Sequence, residues 1–174
     1  PNTIGSDNRP VGPAYIMEVD PNSDKSTPAT IQGPQLNIDF TNDLRFTGTS
    51  TSCDHHYDGV KSCTNLHTHG FHISPESPAD NVFLTLPPKA KFNYVYNLPP
   101  QHPPGTHWMH PHFHGSTAPQ VKNGMAGALI LKGATDTWLK NKYGITADKD
   151  KIMILQQLEL QWNTPLCGSE NDAQ

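Results

Sequence analysis

Apolar and polar residues alternate along two stretches of this chain. In QLNIDFTN, residues 35–42, the apolar Leu36, Ile38 and Phe40 alternate with polar neighbours, and KFNYVYNL, residues 91–98, repeats the pattern. A period of two places alternate side chains on opposite faces of a strand, with one face toward a core and the other toward water. Both stretches are therefore predicted to be half-buried β-strands.

Other apolar segments complete the predicted set of elements. Three more strands are predicted at AYIMEV (14–19), AGALILK (126–132) and KIMILQQLEL (151–160). The last two are nearly continuous apolar runs, which are typical of strands buried on both faces. DTWLKNKYG, residues 136–144, is the one predicted helix, with Asp136 as its N-cap and Gly144 at its end.

Turn-forming residues indicate how these strands are arranged. Seventeen prolines and thirteen glycines divide the chain into short pieces without an internal repeat. Short strands between such turns favour an all-β fold, a Greek-key sandwich, over an α/β fold. We expect an N-terminal arm with the first strand and a loop over 1–34, a core over 35–133, and a short helix, last strand and linker-like tail over 134–174.

Length and charge narrow the class of protein. A chain of 174 residues can form one domain with a real core. Its net charge of -4, with only 12 Lys and Arg residues, argues against a nucleic acid partner. No apolar run approaches the roughly 18 residues that span a bilayer. The chain starts at Pro1 and ends in a polar stretch, which predicts that it is part of a longer product.

Three cysteines are too few for a disulfide scaffold. Cys53 and Cys63 bracket a loop whose length one disulfide bond could close, but the sequence leaves open whether they are bonded. Cys167 is left over in a polar tail, where it is either free or paired with a group outside this chain.

Seven of the ten histidines lie in two short windows: NLHTHGFH (residues 65–72) and HWMHPHFHG (residues 107–115). On a strand, residues two apart point to the same face, so His67 and His69 share one face. His110 and His112 do the same if the strand stays regular past Pro111. Imidazole nitrogens bind metal ions at about 2.0 Å, so two such pairs are predicted to hold one ion or several. Spacing alone does not separate copper from zinc.

Four other histidines are interpreted as other than ligands, whereas His55 and His56, between Cys53 and Cys63, could pick up adventitious metal. His72 and His107 each lie three residues from a ligand candidate, so on a regular strand they face away from it. His114 shares the parity of the second pair and is expected beside the site, and His102, between prolines, is expected to be exposed to solvent. Gly ends each His-x-His window, where a side chain would crowd the site or a bend is needed.

NLHTHGFHISPESPADNVF (65–83) and HPPGTHWMHPHFHGSTAPQVKNGMAGALILKG (102–133) resemble the first cupredoxin domain of the multicopper oxidases, the family of laccases and bacterial copper-exporting oxidases. The resemblance covers roughly residues 34–133 and implies a cupredoxin-like core. It implies that His67 binds the type 2 copper of a trinuclear cluster, and that three others bind its type 3 coppers: His69, His110 and His112. Asp80 matches an acidic residue of that family that helps to deliver protons to dioxygen. An equally weighted alternative is that Asp80 is a turn residue before a strand.

The family pattern is only half present in this chain. Its oxidases also carry a blue type 1 copper bound by Cys and His, and a His-Cys-His motif that supplies further cluster ligands. No cysteine here lies in such a motif, so we expect no type 1 copper and an inactive isolated chain. The missing ligands would come from a C-terminal cupredoxin domain of the same oxidase or from a symmetry-related copy of this chain. Alternatively, the chain is a stand-alone copper- or zinc-binding module. The resemblance also implies dioxygen as a substrate and a periplasmic or secreted location.

Overall fold

The structure is a computed structural model that describes residues 12–19, 33–44, 53 and 62–156. Most of the predicted arm (1–13) and loop (20–34), and all of the polar tail after Leu160, lie outside the described residues. Eight elements follow one another along the described chain: β1 (Ala14–Glu18), β2 (Gln35–Thr41), β3 (His67–His69), β4 (Lys91–Asn97), β5 (Gly105–His110), α1 (Thr117–Lys122), β6 (Gly127–Lys132) and α2 (Ala134–Tyr143).

The strands form two sheets. One has the order β1-β6-β5-β3 and the other pairs β2 with β4. β1 runs parallel to β6, whereas the other neighbours are antiparallel. Both sheets contribute to one apolar core, in which Ile38 and Tyr94 of the small sheet join Met109, Leu129 and Leu131 of the large sheet. The predicted all-β sandwich is therefore confirmed.

Strand alternation is confirmed on β2 and β4. Ile38 lies opposite Tyr94 and Phe40 opposite Phe92, so the apolar sides of the two strands pack side by side. β6 lies between β1 and β5, and this central place explains why its apolar run is buried on both faces.

The predicted helix forms but begins two residues early. α2 starts at Ala134, and Asp136 occupies its third position, where the carboxylate accepts the Gly133 N–H at 2.8 Å. Gly144 ends it with φ +63, in the left-handed region that glycine adopts without steric cost. α1 was not predicted, because six residues that include Pro119 carry no helical periodicity.

The predicted last strand is wrong over its described part, residues 151–156. This segment is irregular, and its side chains are largely exposed, with Met153 at 78% and Leu155 at 90%. A strand needs a partner for its backbone groups, and no described strand pairs with this segment. An apolar run signals a tendency toward burial and does not specify what covers it. The remaining residues of the prediction, 157–160, lie outside the described part.

Cys53 and Cys63 form a disulfide bond, which the sequence had left open, while Cys167 lies outside the described residues. Neither described helix has the length and apolar character needed to cross a membrane.

Candidate metal centre

The two histidine windows lie on neighbouring strands. β3 and β5 pair antiparallel with His67 directly opposite His110 and His69 opposite Trp108. Because side chains two apart on a strand share a face, and directly opposite residues do too, these four side chains project from the same face of the sheet. The alternation on β3 and β5 thus gathers the predicted ligands.

Three of the imidazoles are close enough to act together. One ring nitrogen from each of His67, His69 and His110 lies within 4.8 Å of the other two. Nitrogens that share one ion at about 2.1 Å are separated by at most about 4.2 Å. The group therefore has the dimensions needed for one ion after a small side-chain adjustment, or for two neighbouring ions. A role as ligands stays a prediction.

His112 joins this group although it lies outside β5. The strand ends at His110, so the regular strand that the sequence argument assumed past Pro111 does not exist. The ring of His112 nevertheless lies 5.0 Å from that of His67 and 6.0 Å from that of His110, centroid to centroid. Its backbone N–H donates to Oδ1 of Asn65 at 2.7 Å. A side chain, rather than the sheet ladder, therefore holds this residue.

Asp80 contacts the first window through both carboxylate oxygens. Oδ2 lies 2.8 Å from Nδ1 of His67, and Oδ1 accepts the Thr68 N–H at 2.9 Å. Since an ionised carboxylate only accepts hydrogen bonds, this contact favours the neutral tautomer with the proton on Nδ1 of His67, in which Nε2 carries the lone pair. This is the arrangement by which carboxylates orient metal-binding imidazoles in proteins.

His110 is the buried member of the group. Its Nδ1 lies 2.8 Å from the carbonyl oxygen of Pro111, which cannot donate, so Nδ1 is the protonated nitrogen and Nε2 keeps its lone pair. Burial lowers the pKa of His110, and the nearby rings of His67, His112 and His69 lower it further. A lowered pKa keeps the imidazole neutral, which is the form that binds metal ions.

The group is closed on one side and open on the other. His110 is buried and His67 half-buried, whereas His69 and His112 are exposed. Trp108, itself 40% exposed, stacks on His69 with ring centroids 5.3 Å apart and on His110 at 4.2 Å. Trp108 was not predicted to lie at the site, although its position two residues before His110 places it on the same face of the strand.

Three other histidines form a separate group around Phe71. His107 and His102 both pack edge-on against the Phe71 ring, at 5.0 and 5.3 Å. His72 lies 5.0 Å from His102. The outward orientation expected for His72 and His107 thus brings them to a different cluster, away from the candidate ligands.

His102 was expected to be exposed and is 2% exposed, so that prediction was wrong. Its Nε2 accepts the His72 N–H at 2.9 Å, and its Nδ1 donates to the Pro103 carbonyl at 2.9 Å. With both nitrogens in use, the ring is well satisfied in the interior, and burial lowers its pKa. The flanking prolines gave no sign of these long-range contacts. His114 lies in an exposed turn before α1.

The glycines that end the two windows have a steric basis. Gly70 has φ +95, and a Cβ built on it would lie 2.7 Å from Nδ1 of His107. Gly115 has φ +88. Both reverse the chain in a conformation that other residues adopt at a cost, which confirms the predicted need for a bend.

A match to a known protein family covers both histidine windows. A family model described as "Multicopper oxidase" matches residues 29–136, more than half of the chain. The chain belongs to the multicopper oxidase family. Membership implies copper, and the group formed by His67, His69 and His110 has the donor set to bind a metal ion.

Several solved multicopper oxidases match part of this chain. A multi-copper oxidase from Pediococcus acidilactici matches with a TM-score of 0.50 and 21% identity, over 78% of this chain and 22% of that one. A laccase from the same organism matches at 0.49 and 22%, over 75% and 22%. A metallo-oxidase from Campylobacter jejuni matches at 0.43 and 21%, over 69% and 26%. The first likeness supports an all-β, cupredoxin-like fold. This multicopper oxidase domain spans roughly a quarter of the oxidases it matches.

Proposed function

We propose that this chain is the first domain of a multicopper oxidase and supplies half of the histidine ligands of a trinuclear copper cluster. The complete enzyme reduces dioxygen to water while it oxidises a donor substrate. The observation that carries the proposal is the convergence of four imidazoles, three on one face of the β3–β5 pair and His112 beside them, with the group open to solvent on one side.

The donor set fits copper. Neutral imidazoles with a free nitrogen suit copper ions in both oxidation states, and the hydrogen bonds of His67 and His110 leave Nε2 of each ring available. In the family arrangement, His67 would hold the type 2 copper, and the type 3 coppers would be held by His69, His110 and His112. Copper bound there would supply the one-electron chemistry that dioxygen reduction requires.

The protein contributes rigidity and a proton path. β3 and β5 fix the backbone of three rings, and Asp80 fixes the ring of His67 through its contact with Nδ1. A centre that changes oxidation state without rearranging benefits from such fixed ligands. Asp80 is also the acidic group nearest to His67 in this arrangement, and we propose that it passes protons toward dioxygen.

The exposed side of the histidine group supports the proposal of a partner domain. His69 and His112 are exposed, so ligands from a second domain can approach the group from the direction they face. We propose that a C-terminal cupredoxin domain of the same oxidase provides these ligands and the type 1 copper. Within this chain, residues 35–133 would form the cupredoxin core, with 1–34 and 134–174 as its flanking arm and tail. The oxidase would work in the periplasm or outside the cell, as its class commonly does.

A second candidate function is capture of copper or zinc by this chain alone. It is favoured by the three nitrogens within 4.8 Å, which one chain supplies without a partner. Capture and shared ligation differ in the affinity of the isolated chain, because a three-ligand site satisfies one ion whereas half a cluster does not.

Titration of the isolated chain with Cu(II), followed by electron paramagnetic resonance and equilibrium dialysis, distinguishes the two functions. The oxidase domain predicts weak copper binding, no blue-copper absorption, no turnover of phenols, and a His-Cys-His motif in the reading frame beyond Gln174. Tight stoichiometric copper and no downstream motif would instead establish capture. No detectable Cu(II) binding by the wild type would refute both functions, and unchanged Cu(II) binding by a His110→Ala variant would refute the role of His110 as a ligand.

In the complete oxidase, His110→Ala and His112→Ala should remove type 3 copper and abolish oxygen uptake. Asp80→Asn should slow oxygen uptake and leave the copper content intact, because the carboxylate is lost but no ligand is. Asp43→Asn is the matched control, since Asp43 is an exposed partner of Lys89. Loss of copper from the Asp80 variant would show a purely structural role, and near-normal oxygen uptake by either histidine variant would contradict the ligand assignment.

A further inference from the structure

We propose that Asn65 is a positioning residue that sets His112 in place beside the other candidate ligands. The inference rests on the proposed function only in giving His112 a metal to bind. Its structural content, that one buried amide replaces a strand ladder at this point, stands on the contacts of the chain itself.

The sheet register shows why such a residue is needed. His67 pairs with His110 in the antiparallel β3–β5 ladder, so continuing the same register would place Asn65 opposite His112. The ladder stops before that position. Pro111 has no N–H to donate, and the Leu66 N–H donates to the Tyr94 hydroxyl at 2.9 Å. Beyond His110, side chains therefore take over from backbone pairing.

Asn65 continues the pairing with its own amide group. Its Oδ1 accepts the His112 N–H at 2.7 Å, where a regular strand would use a backbone carbonyl. Its Nδ2 donates to the carbonyls of Val82 at 2.8 Å and Leu84 at 3.0 Å. Two carbonyls on one side and one N–H on the other fix which end of the amide is oxygen. The amide plane is thus locked before it holds His112.

Asn65 thereby connects three segments of the candidate site. Asn65 is fully buried and lies two residues before His67, it contacts the 82–84 loop that follows Asp80, and it holds the backbone of His112. An aspartate could not donate to the two carbonyls, and an aliphatic residue could do neither. The asparagine is therefore specific to this geometry.

Asn42 provides a matched control within the same protein. It is also buried, its Nδ2 donates to the carbonyls of Ser62 and Leu86 at 2.8 Å each, and its Oδ1 accepts the Leu44 N–H at 3.0 Å. The two residues make the same number and kind of hydrogen bonds. Only Asn65 bonds to a candidate ligand, so Asn42→Ala reproduces the loss of stability without the loss of position.

The test compares Asn65→Ala, Asn42→Ala and His112→Ala in the 174-residue chain. Both asparagine variants should unfold at lower urea concentration than the wild type. In NMR spectra, contacts between the rings of His67 and His112 should persist in Asn42→Ala and vanish in Asn65→Ala. Cu(II) affinity should fall about 10- to 100-fold in Asn65→Ala, close to the fall in His112→Ala, and stay within about 2-fold of wild type in Asn42→Ala.

Persistence of the ring contacts in Asn65→Ala, or equal copper affinity of the two asparagine variants, would overturn the proposal. If the Asn65 variant does not fold, hydrogen exchange of the wild type decides: the His112 amide should be protected, and exchange at the rate of an unstructured chain would overturn the proposal. A wild type that binds no copper would refute the proposed function, whereas the ring contacts would still decide the role of Asn65.

Discussion

Tyr94 and Tyr96 form a matched pair for testing how the first histidine window is supported. Both lie on β4, both are fully buried, and their rings stack with centroids 5.6 Å apart. The Tyr94 hydroxyl accepts the Leu66 N–H, directly before His67. The Tyr96 hydroxyl is buried and has no hydrogen-bond partner among the described residues. Replacing each with phenylalanine removes one oxygen from nearly the same environment.

The two substitutions should have different effects on the free energy of unfolding. Tyr94→Phe leaves the buried Leu66 N–H without an acceptor, which costs about 1–3 kcal/mol. Tyr96→Phe removes a hydroxyl whose burial nothing offsets, so it should be neutral or stabilise the fold by about 1 kcal/mol. Burial raises the pKa of Tyr94 to about 12, so its phenol stays neutral throughout the usual assay range.

Urea unfolding followed by circular dichroism measures the difference. The midpoint should fall for Tyr94→Phe and hold or rise for Tyr96→Phe, with the same m-value, because both variants expose the same surface on unfolding. For a chain of this size, Tm should move by about 2–4 °C per kcal/mol. Equal midpoints for the two variants would refute the view that the Tyr94 hydroxyl supports the backbone before His67.

Two other perturbations follow from the structure. Replacing Cys53 and Cys63 together by serine should lower the free energy of unfolding by about 3 kcal/mol, because the bond closes a loop of sequence separation 10; an unchanged urea midpoint would contradict this. Burial lowers the pKa values of His102, His107 and His110 in the folded state, so the unfolded chain takes up protons first as pH falls. Stability should therefore be constant above about pH 6.5 and be lost below it, by at most about 1.4 kcal/mol per pH unit for each group; unfolding at a series of pH values should show a shallower slope for His102→Gln.

The strands were predictable where the local pattern also decides the long-range contacts. On β2, the apolar side of an alternating strand can face only a core, so the pattern of Ile38 and Phe40 was sufficient. The run of β6 was predictable as well, because both of its faces are covered. The run at 151–156 is also rich in apolar residues but has no described strand beside it, and the sequence does not specify what lies next to a segment.

The candidate site could likewise be predicted only in part from the sequence. Parity on β3 and β5 brings His67, His69 and His110 together, and this follows from strand geometry alone. His112 reaches the group for a different reason, since the strand has ended and the Asn65 amide holds it. That contact joins residues far apart in the sequence, and the residues next to Asn65 do not indicate it.

The parallel pairing of β1 with β6 gives the chain an unusual order of assembly. β1 is the first described strand to leave the ribosome, yet its partner is the last. Among the described strands β1 pairs only with β6, so β1 joins this sheet only once β6 has been synthesised, and the long separation between the two strands makes the entropy of closure large. This arrangement favours folding after the domain has been synthesised. Until then β1 is unpaired, and chaperones are expected to bind it.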